Sequence, residues 1–94
     1  MLCLVISTPR PERPSSVLAD RQRYWEWLRP LQQAGTVRSV HARVGRGAVV
    51  MFDVDSHATL HRLVTQWCDI IPAHFEIHPL LEADAAQDFL AAGK

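Results

Sequence analysis

The segment Leu2–Thr8 limits the fold more than any other stretch of this chain. Alternation sets Leu2, Leu4 and Ile6 on one face and Cys3, Val5 and Ser7 on the other, so both faces of an extended strand are largely apolar and both want cover. A chain of 94 residues exposes about 5,500 Å² once folded and buries about 64% of its extended surface. Such a core is too small to sheath a sheet on both sides. Two cysteines, Cys3 and Cys68, do not staple a mini-protein and read as buried thiols. The expected remedy is a second copy of the chain, laid on the uncovered face.

The rest of the chain supplies elements in a fixed order. Pro9, Pro11 and Pro14 make residues 9–14 a stiff loop, after which Ser15 or Ser16 is expected to cap a helix. Val17, Leu18, Tyr24, Trp25, Leu28 and Leu31 form the apolar stripe of that helix; Pro30 kinks its last turn and Gly35 closes it. Val37–Val44 and Ala48–Val54 are β-rich runs joined by Gly45-Arg46-Gly47, a hairpin signature. Asp55 or Ser56 caps a second helix with core residues Leu60, Leu63, Val64 and Trp67, which Pro72 ends. Ala73–Leu80 is the fourth strand. The result is an α+β, ferredoxin-like βαββαβ sandwich: a four-stranded antiparallel sheet with two helices on one face, pairing face to face as a dimeric α+β barrel. Residues 1–94 are expected to form one domain. Within it, the alanine-rich tail 82–94 forms a helix that docks on a partner subunit.

Composition narrows the function. Ten cationic and ten anionic side chains give no net charge, which argues against gripping nucleic acid through phosphates. RNA-recognition motifs share this element order, but here Arg46-Gly47 runs into Ala48, Val49 and Val50, without the stacking aromatics of the third strand. The opening apolar run has no basic leader and no cleavage signal, and no stretch is long enough to span a bilayer; a cytoplasmic protein with no membrane partner is expected. Phosphate-loop, dinucleotide and paired-cysteine signatures are absent.

Five histidines are many for this length, and histidine suits a proton shuttle near neutrality. His41 lies mid-strand with Ser39 and Arg43, opposite Val40 and Ala42. His74, Glu76 and His78 share one face of the fourth strand, either a solvated edge or a pocket lining. His41, Glu76 and His78 are the candidate catalytic residues. No metal is expected: His74 and His78 are about 13 Å apart along an extended strand, and of His57 and His61, one helical turn apart, the first reads as a solvated first-turn residue and the second as a flank residue beside Leu60. Leu4, Ile6 and Trp25 are the apolar candidates for substrate contact.

These residues resemble the muconolactone isomerase family across nearly the whole chain. Phe52-Asp53-Val54-Asp55-Ser56 followed by Leu60-His61 matches the family pattern F-D-V-x-S-x-x-x-L-H at identical spacing, and Gly35-Thr36-x-Arg38 matches G-T-x-R. Gly45, Glu26 and the pair Glu76-Ile77 fall on further family positions. The resemblance implies a homo-oligomeric enzyme without a cofactor that moves a carbon–carbon double bond in an unsaturated lactone, with Arg38 holding substrate. Leu4 and Ile6 stand where family members carry polar residues, which implies a more hydrophobic ligand. A cofactor-free cyclase or monooxygenase for a polycyclic polyketide in natural-product biosynthesis is therefore one alternative. A non-catalytic ligand-binding or assembly subunit is another.

Overall fold

The pleat of the first strand sorts the molecule into a covered and an open side. In this computed structural model, which describes residues 1–93, Cys3, Val5 and Ser7 of β1 (Leu2–Pro9) are buried, while Leu2, Leu4 and Ile6 are half-buried on the opposite face. Lys94, at the end of the expected tail, lies outside the described residues. β1 pairs antiparallel with β3 (Ala48–Asp53) on one side, Val5 opposite Val50, and with β4 (Ala73–Leu80) on the other, Val5 opposite Ile77. β2 (Val37–Ala42) pairs with β3, giving the strand order β2-β3-β1-β4 of the ferredoxin-like sandwich. The register breaks between Val37 and Ser39, so Val37 faces the core beside Phe52 while Ser39 and His41 stand opposite Met51 and Val49 on the open face.

Both long helices cover the same face. α2 (His57–Ile70) starts at Ser56, whose Oγ accepts a hydrogen bond from the Thr59 N–H, and buries Leu60, Leu63 and Trp67 at i, i+3 and i+7. Trp67 centres the core, with the rings of Tyr24, Phe52 and Phe75 at 5.3, 6.3 and 4.9 Å. α1 (Leu18–Gln33) departs from expectation at its start. A 3₁₀ turn, Pro14–Val17, leads into it, and no serine side chain caps it, because Pro14 opens the turn without an N–H that needs a partner. Tyr24 and Leu28 are its buried side chains, with Val17 of the turn before it; Leu18 and Trp25, assigned to the stripe from spacing, are exposed at 55% and 46%. The 3₁₀ turn rotates the start of the stripe, and Trp25 flanks Tyr24 instead of sitting beneath it. Pro30 lies inside the last turn, and the Gly35 N–H donates to the Gln32 carbonyl at 3.2 Å. Cys3 is buried and Cys68 half-buried, both as free thiols.

α3 (Ala83–Gly93) stands apart. Every one of its side chains is exposed, Phe89 and Leu90 to 75% and 74%. The molecule measures 55 × 24 × 20 Å with a radius of gyration of 15.3 Å, against about 12 Å for a compact domain of this length. Its accessible surface of 6410 Å² exceeds the roughly 5,500 Å² of a self-sufficient chain by about 900 Å². No helix among the described residues is long and apolar enough to cross a membrane.

Candidate functional site

The open sheet face gathers five of the seven candidates named from sequence. Cross-strand pairing sets one row as His41, Val49, Ile6 and Glu76, and the next as Ser39, Met51, Leu4 and His78. The apolar middle is Leu2, Leu4, Ile6, Val49 and Met51, all half-buried, and titratable groups stand at both margins. On the β4 margin the Nε2 of His78 lies 3.4 Å from the Glu76 carboxylate, with both side chains about half exposed. His74 is on the same margin one pleat further on, opposite Thr8. His41 is at the far margin. Three strand spacings separate it from Glu76, about 14 Å, so the expected trio does not meet within one chain.

Arg38 sits at the β2 edge where the register breaks, and it is already engaged. Its guanidinium donates to Glu82 at 2.6 Å and lies 4.0 Å from Asp53. An arginine with two carboxylates at hand is held for one geometry, and Glu82 competes with an anionic substrate for it.

Trp25 is on the other side of the sheet from Leu4 and Ile6. It borders a recess of about 90 Å³ between α1, the β2–β3 turn and the end of β1, lined also by Tyr24, Trp67, Arg21, Arg43 and Arg46. The substrate-contact set therefore divides between two places. Tyr24 is 5% exposed, and its hydroxyl has no hydrogen-bonding partner among the described residues. Burial pushes its ionisation well above the usual phenol range. Sequence reasoning passed over this residue because a tyrosine on a helical stripe looks the same whether its hydroxyl is satisfied or orphaned. The recess has no side chain fit to take a proton from carbon near neutral pH: its polar lining is arginines, Ser7 and a phenol held neutral. The proton acceptors are on the open face. No group of three His, Cys, Asp or Glu side chains among the described residues is arranged to hold a metal ion.

Residues 1–94 match the profile of a family described as a domain of unknown function, DUF3303. The chain belongs to this family. No curated protein matches its sequence. Among solved structures, muconolactone isomerase superposes with a TM-score of 0.69 at 26% identity, over 87% of this chain and 90% of that one. The 5-chloro-2-hydroxyhydroquinone dehydrochlorinase TftG of Burkholderia phenoliruptrix AC1100, in complex with 2,5-dihydroxybenzoquinone, superposes with a TM-score of 0.72 at 14% identity, over 90% and 98%. At that identity the second likeness is one of fold alone. The resemblance to muconolactone isomerases drawn from collinear motifs therefore holds in three dimensions, and the fold is one used by small enzymes.

Proposed function

We propose that this protein is a cofactor-independent isomerase that shifts a carbon–carbon double bond by proton transfer in an unsaturated lactone or enolisable ring. The observation that carries the reading is the Glu76–His78 pair, 3.4 Å apart and bordering the apolar strip of Leu4 and Ile6. A ring resting on that strip presents an activated C–H to the β4 margin. His78 takes the proton, the electron pair moves into the dienolate, and the imidazolium, whose N–H exchanges with solvent, delivers one proton to the more distant carbon, so no bond order or charge is left over. Glu76 holds the imidazolium while it exists. Arg38, with N–H donors beyond the one that Glu82 takes, is the candidate for the enolate oxygen.

The reaction needs a dry face, and a second subunit supplies it. The apolar strip, the wholly exposed α3 and the roughly 900 Å² of excess surface, close to one partner's share of a standard interface, support a homodimer or larger homo-oligomer. A twofold axis parallel to the strands lays the β2 margin of one sheet over the β4 margin of the other, and the partner's His41 then faces Glu76 and His78. The length of the apolar strip also favours a second reading, a cofactor-free cyclase or monooxygenase acting on a polycyclic substrate.

Solvent-deuterium exchange separates these readings. Wild-type protein is expected to wash deuterium into an unsaturated lactone and isomerise it, with Glu76→Gln and His78→Gln lowering turnover by about 10²–10⁴-fold at an unchanged melting temperature. Neither exchange nor turnover with any lactone, or full activity in both variants, defeats the isomerase reading.

A further inference from the structure

Charge is shared unevenly around the open face. Cross-strand pairing adds a third row at the start of β1, Asp53, Leu2 and Leu80. Both cations at this end already have acids. The Arg38 guanidinium is 2.6 Å from Glu82 and 4.0 Å from one oxygen of Asp53, and the Met1 amino group is 3.6 Å from the other oxygen. Two cations thus meet two carboxylates and cancel. Beyond Glu82, the described part of the tail adds only acids, Asp84 and Asp88. At the β4 margin stands a further carboxylate, Glu76, whose one ion-pairing partner among the described residues is His78. Arg43, at the far end, donates to Thr8 Oγ1. Thr8 is four residues along β1 from Leu4, about 13 Å, beyond the reach of one small ring seated at Leu4 and His78.

We propose that the open face takes an uncharged unsaturated lactone and discriminates against one that bears a carboxylate, with Glu82 setting the preference. The proposal rests on the isomerase reading only for its choice of face. Desolvation is the first reason. Leu2, Leu4, Ile6, Val49 and Met51 present no side-chain donor to replace the hydrogen bonds that a carboxylate leaves in water. Charge is the second: a carboxylate brought to the strip meets Glu76 on one side and Asp53 and Glu82 on the other, and it competes with two acids for Arg38. A neutral lactone asks less. The remaining donors of Arg38 suffice for a carbonyl oxygen that becomes an enolate only as His78 gains the proton, so the net charge of the site stays constant through the reaction. A lactone with a carboxylate brings an extra negative charge throughout. Once Glu82 is neutral, Arg38 keeps one acid instead of two and turns its fork to a ligand carboxylate.

Two saturated lactones that cannot isomerise test it, the γ-acetic acid of γ-butyrolactone and its methyl ester, which differ by one charge at neutral pH. Amide NMR titration reads both affinity and location. Expected are shifts at Leu4, Ile6 and Met51, binding of the ester about tenfold tighter than that of the acid, and a gap that narrows with added salt. Glu82→Gln, at an exposed position, is expected to tighten binding of the acid about tenfold and to leave the ester within about twofold, at an unchanged melting temperature. Adding Arg38→Gln to that protein is expected to cancel the gain, which distinguishes a freed guanidinium from a loosened tail. Binding of neither ligand, equal affinity for both, no gain for the acid in Glu82→Gln, a gain that survives Arg38→Gln, or shifts away from the strip overturns the proposal. The two readings fail separately because the ligands are inert. An ester preference in a protein that turns over no lactone defeats the isomerase reading alone, and equal turnover of charged and uncharged lactones defeats the preference alone.

Discussion

Gly47 is where the hairpin, the first strand and the recess meet, and substitution there separates two sources of strain. The backbone is at φ +107° at Gly47 and +94° at Gly45, and an L side chain in that region costs about 1–2 kcal/mol. The two differ in surroundings. A Cβ at Gly45 has nothing within 4 Å, whereas one at Gly47 falls well inside contact distance of the Ser7 carbonyl oxygen and 3.3 Å from Arg43 Cδ and Pro9 Cδ. That oxygen cannot swing aside, because Arg43 donates to it and the Ser7 side chain is tied to the Ala48 N–H at 2.9 Å. Overpacking of this kind adds about 1–3 kcal/mol. Gly45→Ala is therefore expected to cost about 1–2 kcal/mol and Gly47→Ala about 2 kcal/mol more, out of a total near 5–14 kcal/mol for a domain of this size. In thermal melts the two variants are expected to differ by about 8–16 °C, and in urea Gly47→Ala has the lower midpoint at an unchanged slope. Equal losses in both variants refute the argument, because the positive φ alone then accounts for the effect and the close approach to Ser7 accounts for none.

Three further outcomes follow from the core and the helix ends. Trp67, 1% exposed, is expected to cost about 3–5 kcal/mol on replacement by alanine, read by chemical denaturation; a loss below about 1 kcal/mol contradicts its place at the centre of the core. The Asp55 carboxyl is held below the usual aspartate range by the Thr59 hydroxyl, with Ser56 adding to the effect. Its contribution is thus complete above about pH 4 and fades as pH falls through the lowered value, and Asp55→Asn is expected to flatten the acid limb of a stability–pH curve. Tyr24 is the chain's one tyrosine, so phenolate absorbance reports on it alone. Its raised pKa means that the folded protein stays un-ionised past the ordinary value of about 10, and stability declines as pH rises above it; a normal titration in the folded state contradicts its burial.

Local pattern carried most of the fold. The alternation of Leu2–Thr8, the glycines of the hairpin, Ser56 ahead of the α2 stripe and Pro72 beyond it are short-range signals, and each element forms where they put it. Where expectation and structure part, a neighbour in space decided. The start of α1 follows Pro14 and a 3₁₀ turn and not a serine cap, and Trp25 is left at the surface once Tyr24 takes the buried position beside Trp67. The candidate site was legible to the same extent. Period-two spacing placed His74, Glu76 and His78 on one face, but no spacing in sequence measures the sheet's width between Glu76 and His41.

The sequence by itself determined the βαββαβ order, the uncovered apolar face and the resemblance to muconolactone isomerases, because these depend on periodicity, turn chemistry and collinear motifs that are properties of the chain. Only the tertiary structure decided which groups stand together. It tied Arg38 to Glu82, parted Trp25 from Leu4 and Ile6, and left the Tyr24 hydroxyl buried without a partner among the described residues. Whether a polar atom has a partner depends on residues more than a dozen positions away, brought near by strand pairing and helix packing.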